Sequence, residues 1–219
     1  MKKEIAFIFD LDGVIVDTAK YHFLAWHNLA TSLGFEFTEK HNELLKGVSR
    51  VKSLEILLNI GNIELTEDEK QSMLIKKNEE YLEYVHQMTS EEILPGVLHL
   101  LDFLDEHQIK YALGSASKNA PLILEKVGLL KRFTALVDGN DVSKAKPNPE
   151  VFLIAAQKLK TAPENCIVVE DAIAGVEAAK LAKMTCVGIG NQQILNKADV
   201  VFKDMTGFSI EFLKKLINN

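Results

Sequence analysis

Only two cysteines occur among the 219 residues, Cys166 and Cys186. Both stand inside apolar runs, CIVVE and MTCVGIG, and so read as small buried hydrophobes in strands. Neither a disulfide framework nor a cysteine metal centre is expected, and a reducing cytoplasm suits such a chain. Basic residues are outnumbered: 25 Lys and Arg face 31 Asp and Glu, for a formal net charge of −6. That balance leaves no electrostatic footprint for nucleic acid. An anionic ligand would have to be gathered by a local positive site rather than by the global field. Long hydrophobic runs are also missing. No stretch of about 18 apolar residues appears, so no membrane span is expected. The opening MKKEIAFIFDLDGVIVD sets lysines before an apolar stretch. Glu4, Asp10 and Asp12 interrupt it and no small-residue cleavage site follows, so it is not read as a signal peptide.

Several catalytic signatures are absent as well. There is no G-x-x-x-x-G-K-S/T, which excludes a P-loop enzyme. Gly188-Ile189-Gly190 lacks the third glycine of a dinucleotide fingerprint, Gln193 standing there instead. Gly114-Ser115 is not the G-x-S-x-G of a nucleophile elbow. Neither internal repeats nor low-complexity tracts interrupt the chain.

What remains is a globular composition, 47% hydrophobic and 26% charged, long enough for one large domain or a core with an insertion. Apolar runs at 5–10, 109–115, 133–138, 166–171, 185–190 and 198–202 predict strands buried on both faces. Helical patterns lie between them, at 95–107, 119–127, 150–159, 172–181 and 209–217. Strands alternating with helices of this length predict a parallel, doubly wound α/β sheet. One stretch breaks the alternation. From 17 to about 87 only helical patterns occur (17–33, 50–60, 66–86), which predicts an all-helical domain inserted between the first two strands. Its hinges are expected near 14–17 and 89–92, giving a core of 1–14 and 92–219 and a cap of 15–91.

In open α/β sheets ligands bind beyond the carboxyl ends of the strands. Strand one ends in Asp10-Leu11-Asp12-Gly13, strand two in Ser115-Ala116-Ser117-Lys118-Asn119, and strand four in Glu170-Asp171, while the loop after strand three leads to Lys146-Pro147. An acid after a strand is by itself ordinary turn chemistry. Four carboxylates, two hydroxyls and two lysines on one rim are a different matter. Asp10 can attack phosphorus as a carboxylate nucleophile. Asp12 can serve as general acid and base. Several carboxylates around one point suit a hard cation such as Mg²⁺. Ser115, Lys146 and backbone amides can stabilise the phosphoryl oxygens.

These motifs, D-x-D-G, a serine after the second strand, K-P before a helix and E-D after the fourth, resemble the haloacid dehalogenase superfamily over the whole chain. The second aspartate matches its phosphatase and phosphomutase branch, and the helical insertion is similar to its small cap. D-T-A-x-Y-H-F-x-A-W (17–26), L-K-G-V-S-R (45–50), K-K-N (76–78) and S-A-S-K-N (115–119) are similar to the bacterial β-phosphoglucomutase family. The resemblance implies an isomerase that interconverts β-glucose 1-phosphate and glucose 6-phosphate. It further implies an aspartyl-phosphate, a β-glucose 1,6-bisphosphate intermediate, and Mg²⁺ held by Asp10, the Asp12 carbonyl, Glu170 and Asp171.

The cap residues admit two readings each. Thr18, His22 and Trp26 form one helical stripe. A histidine or lone tryptophan there is commonly core, but the stripe begins beside a hinge, and the resemblance links His22 to substrate and Asp12 and makes Trp26 a support of the pocket. Gly47, Val48, Ser49 and Arg50 offer backbone groups and a guanidinium for a second phosphate, while Ser49 also suits a helix N-cap. Lys77 on a charged helix is ordinarily solvated, and only the resemblance makes it a sugar contact. Ala116, Ser117, Lys118 and Asn119 are implied on the core side of the second phosphate, although Asn119 can equally be a plain N-cap. A monomer acting on a small sugar phosphate is expected. A cap-bearing sugar-phosphate phosphatase shares the core motifs and needs no second phosphate site. A phospho-aspartate receiver module needs neither Asp12 nor a cap.

Overall fold

A computed structural model describes residues 4–218. Strands β1 (Ala6–Phe9), β2 (Lys110–Gly114), β3 (Ala135–Val137), β4 (Cys166–Glu170), β5 (Thr185–Ile189) and β6 (Val200–Phe202) form a six-stranded sheet in the order β3-β2-β1-β4-β5-β6. Every pairing is parallel, with Phe9 beside Leu113 on one side and Val169 on the other. The helices are α1 (Ala19–Ser32), α2 (Glu39–Asn42), α3 (Arg50–Gly61), α4 (Glu67–His86), α5 (Val97–Glu106), α6 (Ala120–Lys126), α7 (Glu150–Leu159), α8 (Ile173–Leu181) and α9 (Ile210–Asn218).

The continuous apolar strands are explained by burial on both faces. Phe7 and Phe9 of β1 join one cluster with Leu100 and Leu104 of α5, Ile123 of α6 and Leu213 of α9. Ala6 and Ile8 face the opposite cluster, with Phe152 and Ala155 of α7 and Val176 of α8. Each fully buried large apolar side chain contributes about 1.5–3 kcal/mol. Both cysteines lie in these buried layers as free thiols. The doubly wound α/β core is the architecture the alternation predicts. Among the described residues no helix is long and apolar enough to cross a membrane.

Helices α1–α4 lie between β1 and β2 in the chain, and a third cluster, including Trp26, Leu29, Phe37, Leu54, Leu57 and Leu74, joins α1, α3 and α4. Helix α2 and a 3₁₀ turn at Glu43–Leu45 fill a stretch where periodicity shows nothing. Thr38 supplies the reason, since its hydroxyl accepts from the His41 N–H while the His41 ring accepts from the Thr38 N–H. The two connecting stretches between helices and sheet run side by side. Asp17 N–H donates to Glu92 O at 2.9 Å and Leu94 N–H to Ile15 O at 3.0 Å, and Lys20 and Tyr21 both donate to the Glu92 carboxylate.

The sheet order sets the location of the site. The chain winds outward from β1 to β3, crosses back, and continues from β4 to β6, so the switch point lies between β1 and β4. A crevice must open there at the carboxyl ends of the strands.

Candidate active site

A cavity of about 540 Å³ occupies that position, between the strand ends and helices α1, α3 and α4. Asp10, Asp12, Ser115 and Asp171 line its floor, with Lys146 from the loop before α7. Glu170 lies beneath it, fully buried. Lys146 Nζ stands 2.6 Å from both Asp10 Oδ1 and Glu170 Oε1. Burial works against its charge, but the two carboxylates outweigh it and hold the Lys146 pKa above the usual lysine value. A buried ion triad of this kind is a poor source of stability and marks a site kept for its electrostatics.

Carboxylate oxygens of Asp10, Glu170 and Asp171 all lie within 4.8 Å of one another. Burial, together with the charges of Glu170 and Asp10, drives Asp171 well above the normal carboxylate range. Oxygen donors so crowded fit a hard divalent cation such as Mg²⁺, whose charge would relieve that repulsion. The Asp12 carboxylate lies outside this group and turns to Thr18, leaving its carbonyl as the expected contribution. Gly175 of α8 is a requirement no motif revealed: a Cβ there would overlap the Glu170 carboxylate.

Asp12 accepts a hydrogen bond from Thr18, which is fully buried just before α1. Burial first, and the Asp10 charge second, push Asp12 up to about 6, against the Thr18 bond. A carboxyl poised there can exchange a proton near neutrality. His22 Nε2 sits 3.8 Å from Asp12 Oδ1 and Nδ1 lies 2.9 Å from Lys77 Nζ. Burial and then the charges of Lys77 and Arg50 hold His22 well below the usual imidazole value, so its ring is neutral. With Lys77 donating to Nδ1, the ring proton is on Nε2, facing Asp12.

Lys77 departs from the solvated reading of a charged helix. It is 1% exposed, its Nζ lying 4.8 Å from the Trp26 ring centre and 4.5 Å from that of Tyr81. Burial and the Arg50 charge bring its pKa down to about 7. Trp26 packs in the cluster that joins α1, α3 and α4 and also lines the cavity. Gly47, Val48, Ser49 and Arg50 also line the cavity. Ser49 also caps α3, accepting from Lys52 N–H at 3.3 Å. Gly47 has φ +71°, and a Cβ there would stand 2.7 Å from Ala172 Cβ, so this loop reaches the core beside Asp171. Ala116, Ser117, Lys118 and Asn119 complete the rim. The turn holding them is internally braced, with Ser117 N–H donating to Ser115 Oγ and Asn119 N–H to Ser117 Oγ.

Of the residues singled out from sequence, only Thr18 and Glu170 do not line the cavity, and both hold a residue that does. Lys46, Ser53, Asn78 and Tyr81 line it without having been assigned a role. Tyr81 follows Lys77 by four and Ser53 follows Arg50 by three, so helical spacing from an accepted residue was the available signal. The Tyr81 hydroxyl is buried and has no hydrogen-bond partner. Its ring stacks on His22 at 4.1 Å.

Carboxylates at a switch point, a lysine between them and a helical lid describe a phosphoryl-transfer fold. The family model for haloacid dehalogenase-like hydrolases matches residues 7–189, and the chain belongs to that family. It is 43% identical over 210 residues to the β-phosphoglucomutase of Bacillus subtilis, covering 95% of this chain and 93% of that protein. A crystal structure of β-phosphoglucomutase from Clostridium difficile superposes with a TM-score of 0.93 at 42% identity, over 99% of this chain and 97% of the other. A phosphorylated carbohydrates phosphatase of Thermotoga maritima is 34% identical over 179 residues, 81% of each chain.

Proposed function

We infer that this protein is a β-phosphoglucomutase, interconverting β-D-glucose 1-phosphate and D-glucose 6-phosphate. The observation that carries the reading is near-complete coverage of β-phosphoglucomutases at 42–43% identity, cap helices included. The Asp10 carboxylate is the nucleophile, and Asp12 the general acid and base. Phospho-Asp10 gives its phosphoryl group to a sugar hydroxyl: the bond from phosphorus to the Asp10 oxygen breaks, one to the sugar oxygen forms, and Asp12 takes the hydroxyl proton. The resulting β-glucose 1,6-bisphosphate reorients. Asp10 then attacks the other phosphorus, and Asp12 returns the proton to the departing sugar oxygen.

Lys146, 2.6 Å from Asp10, steadies the charge of the nucleophile and of the transferring oxygens, with Ser115 beside it. Asp10, the Asp12 carbonyl, Glu170 and Asp171 would hold Mg²⁺, which when bound would supply positive charge to offset that of the carboxylates and the phosphoryl group. Arg50, Ser117, Lys118 and Asn119 hold the phosphate that is not being transferred. His22 keeps Asp12 oriented, and Lys77 meets the sugar hydroxyls. Residues 15–91 act as the cap that excludes water, so that a sugar hydroxyl rather than water accepts the phosphoryl group.

The test is to incubate the protein with β-glucose 1-phosphate, Mg²⁺ and catalytic bisphosphate, following glucose 6-phosphate and free phosphate together. Glucose 6-phosphate in large excess is expected. Stoichiometric free phosphate instead would assign the chain to the phosphatases. Asp10→Asn, checked for deamidation, should give neither product nor phosphoenzyme.

A further inference from the structure

Asn119 stands at the N-cap position of α6 but makes no capping hydrogen bond with its side chain. An asparagine there normally satisfies one of the free N–H groups of the first turn. Its side chain instead turns to the inserted helices. Nδ2 donates to Oδ1 of Asn78, on α4 of the cap, at 3.0 Å. Both residues line the cavity and both are half-buried. The bond joins positions 41 apart in the chain, one on the sheet domain and one on the inserted helices. Asn78 also neighbours the buried Lys77 in sequence, so one short segment of α4 carries both a cavity amine and this bridge.

We propose that Asn78 is a positioning residue for the second phosphate site: it draws the Asn119 amide away from capping α6 and holds it at the cavity, so that engagement of that phosphate is tied to the cap resting on the core. The inference rests on the mutase reading above, because only a substrate with a phosphate at that end calls on Asn119. One N–H of the Asn119 amide is directed at Asn78, which leaves the other N–H available to a phosphate oxygen. Without Asn78 the amide is free to turn back to the first turn of α6, and the phosphate loses both a preset donor and a contact that closes the cap. A substrate that carries no second phosphate is indifferent to the change.

The experiment is a double-mutant cycle on the full chain with Asn78→Ala, Asn119→Ala and the pair. Mutase kinetics with β-glucose 1-phosphate and Asp10 phosphorylation by acetyl phosphate are measured on the same preparations. Asn78→Ala should raise KM by about 3- to 10-fold, the worth of one net hydrogen bond, with kcat changed by less than about twofold. In the Asn119→Ala background the same substitution should add almost nothing. Phosphorylation by acetyl phosphate should be no more affected in the double variant than in Asn119→Ala alone. Additive losses would overturn the proposal by showing that Asn78 acts without Asn119. Equal losses with acetyl phosphate would overturn it in favour of a general structural role, and an unchanged KM would remove Asn78 from the site. Failure of the underlying reading is seen separately, as a parent protein that yields no glucose 6-phosphate.

Discussion

Lys77→Met tests whether the cap holds a lysine at the expense of stability. In the unfolded chain Lys77 keeps a pKa near 10.5, whereas burial and then the Arg50 charge bring it to about 7 in the fold. Between those values the unfolded state binds the proton more tightly, so stability should rise with pH through this window, by at most about 1.4 kcal/mol per pH unit. The penalty is fully present below pH 7 and disappears above the unfolded value. At pH 7 it amounts to on the order of 4 kcal/mol. The side chain is 1% exposed, so solvent screening takes little away. The Trp26 and Tyr81 ring faces favour the ammonium and make this an upper figure. Methionine keeps the stem volume but loses the 2.9 Å contact with His22, worth about 1 kcal/mol. Urea unfolding of both proteins should therefore show Lys77→Met more stable by roughly 3 kcal/mol at pH 7 and by almost nothing at pH 9.5. Mutase activity should fall in the same variant. A methionine protein no more stable at pH 7, or a difference that ignores pH, would refute the buried-amine account.

Tyr81→Phe removes a buried hydroxyl that has no partner while keeping the stack on His22, so stability should be unchanged or raised by up to about 1–3 kcal/mol; thermal melting that shows a clear loss would mean the hydroxyl is paired. Gly175→Ala places a methyl group on the Glu170 carboxylate, and activation by Mg²⁺ should need about 10- to 100-fold more metal while the far-UV spectrum is unaltered. Arg50→Ala should lower mutase efficiency by about 30-fold or more, corresponding to about 2–5 kcal/mol for a lost charge partner, yet spare Asp10 phosphorylation by acetyl phosphate. Equal losses in both assays would place Arg50 in folding or in the transfer site. Asp12→Asn should reduce turnover by about 10²- to 10⁴-fold with an unfolding midpoint no lower than the parent's, since it removes a carboxylate that burial disfavours; a loss below about threefold would make Asp12 structural.

By itself the sequence determined the core. Apolar strands ending in Asp10, Ser115 and Glu170 alternate with helices, and local pattern together with the right-handed crossover rule leaves few ways to stack them. The rim follows from that, because residues just after parallel strands must meet at one edge. Arg50 and Ser49 were legible for a similar local reason, at the start of a helix that the apolar pattern outlines. Periodicity failed at α2, whose short capped turn is too brief for a helical pattern to register. It also left Lys77 looking solvated and Asn119 looking like a cap, since both readings come from neighbours in the chain. Their partners are His22, 55 residues away, and Asn78, 41 residues away. Only tertiary structure decided these, because the packing of α4 against α1 and α6 sets which side chains lose water, and desolvation depends on what surrounds a group in space. The same holds for Asp12, whose proton affinity is set by burial and by Asp10 and Thr18 closing around it.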